Sequence, residues 1–263
     1  MAGFDVSVII PNYNNERFLK QCINSVLSQT YPISQIIVYD DCSTDSSREI
    51  LREYENSFPL VTVLYGEKNV GVSIARDLAI KAADSDYICI LDADDYFYDS
   101  YKIENEMNTV KEYYRITGRK CIAFSQTIDV DLNGNPLIYP KHRRLGGMEA
   151  FKIITRAYNR YMPRDYCMPK EYYERSGGYQ AGLSLYEDWD LNIRLLQISR
   201  FLYSGSYGTA YRHKQSGLSA VDYHTHFMLK KKIFNQYKIN LWEKIVFYLL
   251  LYGAYVKHHL KGR

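Results

Sequence analysis

Asp92, Asp94 and Asp95 stand in Ile-Leu-Asp-Ala-Asp-Asp, directly after the apolar run Tyr87-Ile88-Cys89-Ile90-Leu91, and Glu187-Asp188 stand far downstream in Leu-Tyr-Glu-Asp-Trp-Asp-Leu. A strand that breaks into carboxylates lies where an open α/β sheet presents its ligand crevice. Two acids at alternate positions offer hard oxygen ligands, so Asp92 and Asp94 can hold Mg2+ or Mn2+ against a diphosphate. Taken alone, an Asp-x-Asp pair recurs so often by chance that a solvated turn after a strand is the more frequent reading. The second acidic pair opens a segment with Trp189, Ile193, Leu196 and Leu191 on helical spacing. Glu187 and Asp188 therefore sit at a helix N-terminus, where partial positive charge and free N–H groups keep a carboxylate ionised, as a general base requires.

The elements that must position these acids alternate regularly over the first hundred residues. Val6–Ile10 reads as a buried strand, and Phe18, Leu19, Cys22, Ile23, Val26 and Leu27 follow helical spacing. Ile36–Tyr39 repeats the strand and ends in Asp40-Asp41-Cys42-Ser43-Thr44-Asp45, where Ser43 or Thr44 can cap a helix carrying Ile50, Leu51 and Tyr54. Leu60–Leu64 with Val70–Ala83 forms a third unit and Tyr87–Leu91 a fourth strand. This alternation predicts an α/β domain with a mainly parallel sheet and right-handed crossovers. If a nucleotide binds there, the Asp41 carboxylate can accept a hydrogen bond from a ring N–H such as uracil N3.

Several function classes lose their support. No G-x-G-x-x-G follows the first strand, where Pro11-Asn12-Tyr13-Asn14-Asn15 stands instead, and no G-x-x-x-x-G-K-[ST] occurs. The five cysteines show no C-x-x-C spacing and mostly lie in apolar segments, which predicts reduced thiols without zinc or disulfides. Val6–Ile10 is too short for a signal-peptide core, so a cytoplasmic protein is expected. Residues 1–100 hold 7 Lys and Arg against 16 Asp and Glu, out of totals of 33 and 30, leaving 26 against 14 in residues 101–263. The acidic part is the expected metal host. A nucleic-acid partner is not expected, because apolar and aromatic residues dominate between the cations of residues 230–263.

The motifs Val-Ser-Val-Ile-Ile-Pro-Asn-Tyr-Asn-Asn, Ser-Val-Leu-Ser-Gln-Thr-Tyr, Asp-Asp-Cys-Ser-Thr-Asp, Asn69-Val70-Gly71 with Ala75-Arg76, Leu-Asp-Ala-Asp-Asp and Glu-Asp-Trp-Asp-Leu occur in this order. Together they resemble the inverting family-2 glycosyltransferases of the GT-A fold, over roughly residues 5–220. The resemblance implies a mixed, mainly parallel central sheet flanked by helices, with residues 1–220 as the catalytic domain and 221–263 as a C-terminal helical extension. It implies an inverting, metal-dependent transfer from a nucleotide-sugar donor, UDP-linked by the Asp41 argument, to a saccharide or lipid-linked saccharide. Pro11 and Tyr13 would flank the base, Asp41 bond it, and Asn69 and Arg76 approach the nucleotide. Asp92 would hold the ribose or metal-bound water, Asp94 would ligate Mn2+ or Mg2+, and Asp95 would orient the turn. Asp188 would be the base and Glu187 its acceptor-orienting partner. In Tyr211-Arg212-His213-Lys214-Gln215-Ser216-Gly217, His213, with Arg212 second, would reach the donor diphosphate. A non-catalytic sugar-nucleotide binding module would not need Glu187-Asp188, and a nucleotidyltransferase would want a glycine-rich basic first loop. Residues 121–164 match no pattern and are expected to shape the acceptor site.

The C-terminus carries Ile245–Val256, an apolar run too short for the ~20 residues that span a bilayer. Eight cations and the single acid Glu243 lie within residues 230–263. Three arrangements remain open: an interfacial helix on an anionic membrane, placing the protein peripherally on the inner face; a homodimer-forming helix; or a helix docked on the core.

Overall fold

The computed structural model describes residues 4–138, 154–155, 166–180, 182–183, 185–213 and 221–261. β1 (Val6–Asn12) pairs in parallel with β2 (Gln35–Asp40) and β4 (Tyr87–Ile90), and β2 pairs in parallel with β3 (Val61–Tyr65). All seven β1 residues are buried, as expected of a parallel strand covered on both faces. Their alternation sorts the core into two layers. Val6, Val8 and Ile10 join Leu19, Cys22 and Ile23 of α1 (Glu16–Leu27), Leu51 of α2 (Ser47–Ser57) and Met107 of α4 (Lys102–Thr117). Ile9 instead joins Ile37, Ile88 and the Ala75, Ala79 and Ile80 side chains of α3 (Val72–Ala82).

The sheet continues with β5 (Tyr96–Phe97), β6 (Ile122–Val130), β7 (Pro136–Ile138), β8 (Cys167–Pro169) and β9 (Phe201–Arg212). Its order is β3-β2-β1-β4-β8-β6-β9-β5, with β7 paired to β6. The first four strands are parallel, whereas β8 enters antiparallel between β4 and β6, and β5 is antiparallel to β9. The mixed, helix-flanked architecture expected from the resemblance is therefore present. Between β1 and β4 the strand order reverses, so the carboxyl ends of β1, β2 and β4 border one crevice.

Two local expectations shift. The third strand runs one residue later than predicted, at Val61–Tyr65. The helix after β2 is not capped by Ser43 or Thr44; its N-cap is Ser46, and the Asp45 carboxylate accepts the Ser47 N–H at 3.0 Å. Ser43 is already engaged, because its Oγ accepts from Asn14 N at 3.0 Å and Asn12 Nδ2 at 3.2 Å.

The second half adds α5 (Lys170–Arg175), α6 (Glu187–Leu195), α7 (Tyr223–Phe234) and α8 (Leu241–Lys261). Trp189 and Ile193 of α6 share a third apolar cluster with Phe234 of α7 and Phe247 and Leu251 of α8. Phe247 stacks on Phe234 at 3.7 Å and on Trp189 at 6.0 Å between ring centroids, contacts worth about 0.5–1.5 kcal/mol each beyond their buried area. The core-docked arrangement thus holds for one face of α8. No helix among the described residues is long and apolar enough to cross a membrane. All five cysteines are free thiols.

Candidate functional site

The crevice is built from strand ends. Asn12, at the end of β1, lies in register with Asp40 at the end of β2 and donates to its Oδ1 at 2.9 Å. The other Asp40 oxygen accepts Ser43 N at 3.1 Å and Arg48 Nε at 2.7 Å, so Asp40 is the residue that fixes this turn. Sequence reasoning singled out only its neighbour. Asp41 is 2% exposed, and its Oδ1 and Oδ2 accept the backbone N–H groups of Val70 at 2.7 Å and Gly71 at 2.9 Å. Gly71 at φ 88 takes a backbone conformation that costs glycine least, which lets both N–H groups meet one carboxylate. Two of the roughly four lone-pair sites of the Asp41 carboxylate are thereby used by the loop that leads into α3. Asn69 lies on that loop, exposed, with Nδ2 donating to the Asp41 carbonyl at 3.3 Å. Asp41→Asn would set an amide nitrogen against one of those N–H donors and should cost about 1.5–3 kcal/mol, measured by denaturant unfolding. Pro11 is buried at the end of β1, and Tyr13 stands at the rim, 47% exposed.

α3 points Arg76 into the crevice. Its guanidinium donates through Nη2 to Asp92 Oδ1 at 2.6 Å and through Nη1 to Glu187 Oε1 at 2.7 Å. Burial opposes the charge, yet Asp92, the Tyr179 hydroxyl and Glu187 together hold the Arg76 pKa well above its ordinary value. Among the described residues, Arg76 Nε is buried without a hydrogen-bond partner. The Tyr179 ring lies 5.4 Å from the guanidinium carbon. Its approach depends on Gly178, at φ 64, where a Cβ would come within 2.9 Å of the Tyr173 hydroxyl that accepts the Tyr179 N–H. One buried cation thus joins the strand-end acids to the helix carrying Glu187 and Asp188.

The start of α6 is set by Tyr186, a non-glycine residue at φ 66, whose hydroxyl meets His226 Nδ1 at 2.7 Å. Such a backbone costs about 1–3 kcal/mol and needs tight surroundings, here a side chain only 3% exposed. Asp188 is half-buried in the first turn and accepts the Trp189 N–H at 2.7 Å. The rest of α6 is buried on more faces than its sequence spacing implied, including Asp190 and Asn192. Arg194 and Tyr237 satisfy Asp190, and Tyr166 satisfies Asn192.

Asp92, Asp94 and Asp95 each bring one carboxylate oxygen within 4.8 Å of the others. All three are hard oxygen donors and fit Mg2+ or Mn2+. Burial and the three carboxylates push the nearby Cys22 thiol well up. Asp95 is 1% exposed and accepts the Arg212 N–H at 2.8 Å, tying the turn to the end of β9. Arg212 is 3% exposed. Its guanidinium is buried between Phe18, at 4.6 Å, and Tyr96, at 4.9 Å, and donates to the Asp94 carbonyl and Gln21 Oε1. It braces the aspartate turn, held by the two rings and those acceptors. His213 follows, half-exposed, with Nε2 3.0 Å from Asp129 Oδ1. Lys214–Ala220 and most of residues 139–165 lie outside the described residues, and with them most of the closing segment and of the expected acceptor region.

The chain resembles known proteins in sequence and shape. Over 122 residues it is 38% identical to TuaG of Bacillus subtilis (strain 168), assigned by name to teichuronic acid biosynthesis as a glycosyltransferase, covering 46% of this chain and 45% of that one. Over 161 residues it is 34% identical to a poly(ribitol-phosphate) beta-glucosyltransferase of Bacillus spizizenii, covering 56% of this chain and 25% of that one. The chain therefore spans about half the length of the first relative and a quarter of the second. Its fold matches residues 1–349 of S. aureus TarS, crystallised with UDP-GlcNAc, with a TM-score of 0.71 over 92% of this chain and 70% of that one, at 18% identity. Residues 7–152, more than half of the chain, match the family described as Glycosyl transferase family 2, and with the strand-end acids of its crevice this protein belongs to that family.

Proposed function

We propose that this protein transfers a sugar from a UDP-linked donor to a hydroxyl of a saccharide or lipid-linked saccharide, with inversion at the anomeric carbon, during synthesis of a cell-surface polysaccharide. The observation that carries this reading is the Arg76 bridge between Asp92 and Glu187. It couples a donor-side cluster of acids to a separate helix whose Asp188 can serve the acceptor. Relatives named for teichuronic acid and poly(ribitol-phosphate) glycosylation support the polymer class, and the UDP-GlcNAc bound to TarS supports the donor class.

Asp188 takes the proton of the acceptor hydroxyl, on the face opposite the leaving diphosphate. Glu187 is anchored by Arg76 and orients the acceptor. Asp94, with Asp92, would hold Mn2+ or Mg2+, which when bound draws negative charge from the leaving diphosphate. Tyr13 and Pro11 flank the base, Asp41 offers its remaining lone pairs to a base N–H, and Asn69 approaches the nucleotide. His213, tethered to Asp129, approaches the diphosphate from the end of β9.

Thermal unfolding against a panel of nucleotide sugars tests the reading. UDP-sugars with Mn2+ should stabilise the fold by about 2.7 kcal/mol at a hundredfold excess over Kd, with dTDP-sugars next and GDP-sugars last. Excess EDTA should remove both the stabilisation and the transfer. Stronger protection by GDP-sugars would overturn the base assignment, and undiminished transfer in EDTA would remove the metal from the mechanism.

A further inference from the structure

α8 is apolar on two faces, and among the described residues the fold covers one of them. Phe247 and Leu251 point into the third core cluster. Leu241, Ile245, Leu249, Tyr252, Val256 and Leu260 remain between 43% and 74% exposed. Their spacing of four, four, three, four and four residues places them within an arc of about 100° along a helix about 30 Å long. Trp242, 66% exposed, stands at the same end as Leu241. A continuous apolar stripe of this length marks an interaction surface.

Lys244 and Lys257, both exposed, lie on the two borders of the arc, and residues 230–263 contain eight cations with Glu243 as the only acid. Two copies of this chain meeting through their stripes would set each basic border against the other, which like-charge repulsion disfavours. An anionic surface is complementary. The aromatic Trp242 and Tyr252 suit the headgroup level of a bilayer, and lysines beside an apolar stripe suit anionic lipid. The helix is held along the protein by its inner face, so it presents the stripe sideways.

We propose that the outer face of α8 docks this protein on an anionic lipid bilayer, lying in the interface without crossing it. The proposal is independent of the sugar-transfer reading, because its readouts need no donor or acceptor.

The test uses the full chain at low salt with vesicles of phosphatidylcholine, with and without phosphatidylglycerol. The protein should sediment with the anionic vesicles and remain in solution with the neutral ones. Of the two tryptophans, Trp189 is 0% exposed and Trp242 is 66% exposed, so a blue shift of fluorescence on binding should come from Trp242 and vanish in Trp242→Phe. Leu249→Glu with Val256→Glu should abolish sedimentation while leaving the circular dichroism spectrum and the melting temperature unchanged, since both positions are on the surface. Lys244→Gln and Lys257→Gln should each weaken vesicle binding about fivefold. Equal binding to neutral vesicles, failure of the intact chain to sediment, or retained sedimentation by the double glutamate variant would each overturn the proposal. A doubled solution mass that the double glutamate variant halves, without vesicle binding, would assign the stripe to a second copy instead.

Discussion

Asp188→Asn should lower sugar transfer about 10²–10⁴-fold while leaving nucleotide-sugar affinity nearly unchanged. The amide keeps the volume of the carboxylate, and its oxygen can still accept the Trp189 N–H that Asp188 accepts at 2.7 Å. The helix start therefore survives, at a cost of about 0.3–1 kcal/mol for the lost interaction with the helix dipole. What disappears is the capacity to take the acceptor proton. Calorimetric donor binding beside steady-state rates separates the two effects. Parallel losses of affinity and rate would make Asp188 a donor ligand and place the base elsewhere.

Arg76→Met should destabilise the fold by about 3–5 kcal/mol, because it leaves two largely buried carboxylates without their shared cation. The side chains of Asp92 and Glu187 are 20% and 12% exposed, so solvent screens them little. Against a total stability of about 5–15 kcal/mol, that loss is severe. Activity should fall with it, since the same guanidinium holds Glu187 beside Asp188. Arg76→Lys should recover only part of both, because one ammonium cannot reproduce the planar fork that reaches two acids. Combining Arg76→Met with Asp92→Asn and Glu187→Gln should restore stability without restoring transfer. Urea unfolding of the set decides it, and a loss below about 1 kcal/mol in Arg76→Met would show that the bridge carries no structural weight.

The sequence by itself determined β1 to β4 and α1 to α3, because apolar runs and helical spacing report which faces are buried, but not the two-residue β5, which is too short for a periodic signal. It also determined the family, through acids and turns placed at strand ends. It singled out Asp92, Asp94, Glu187 and Asp188 as candidates, of which Asp92 and Glu187 meet on one Arg76 guanidinium. Tertiary structure decided the division of labour among adjacent residues. Asp40 and Asp41 are indistinguishable as types, and only the register of β1 on β2, which sets Asn12 opposite Asp40, makes one the turn anchor and leaves the other to the loop before α3. Arg212 and His213 likewise diverge because the first turns inward between Phe18 and Tyr96 while the second turns outward. The Arg76–Glu187 pair spans 111 positions, and β8 enters the sheet beside β4 from far along the chain. The two apolar faces of α8 look alike in the sequence, but only the one carrying Phe247 meets Trp189 and Phe234. Local periodicity records that a face is apolar, whereas the partner that covers it is fixed by contacts between distant segments, which exist only once the chain has folded.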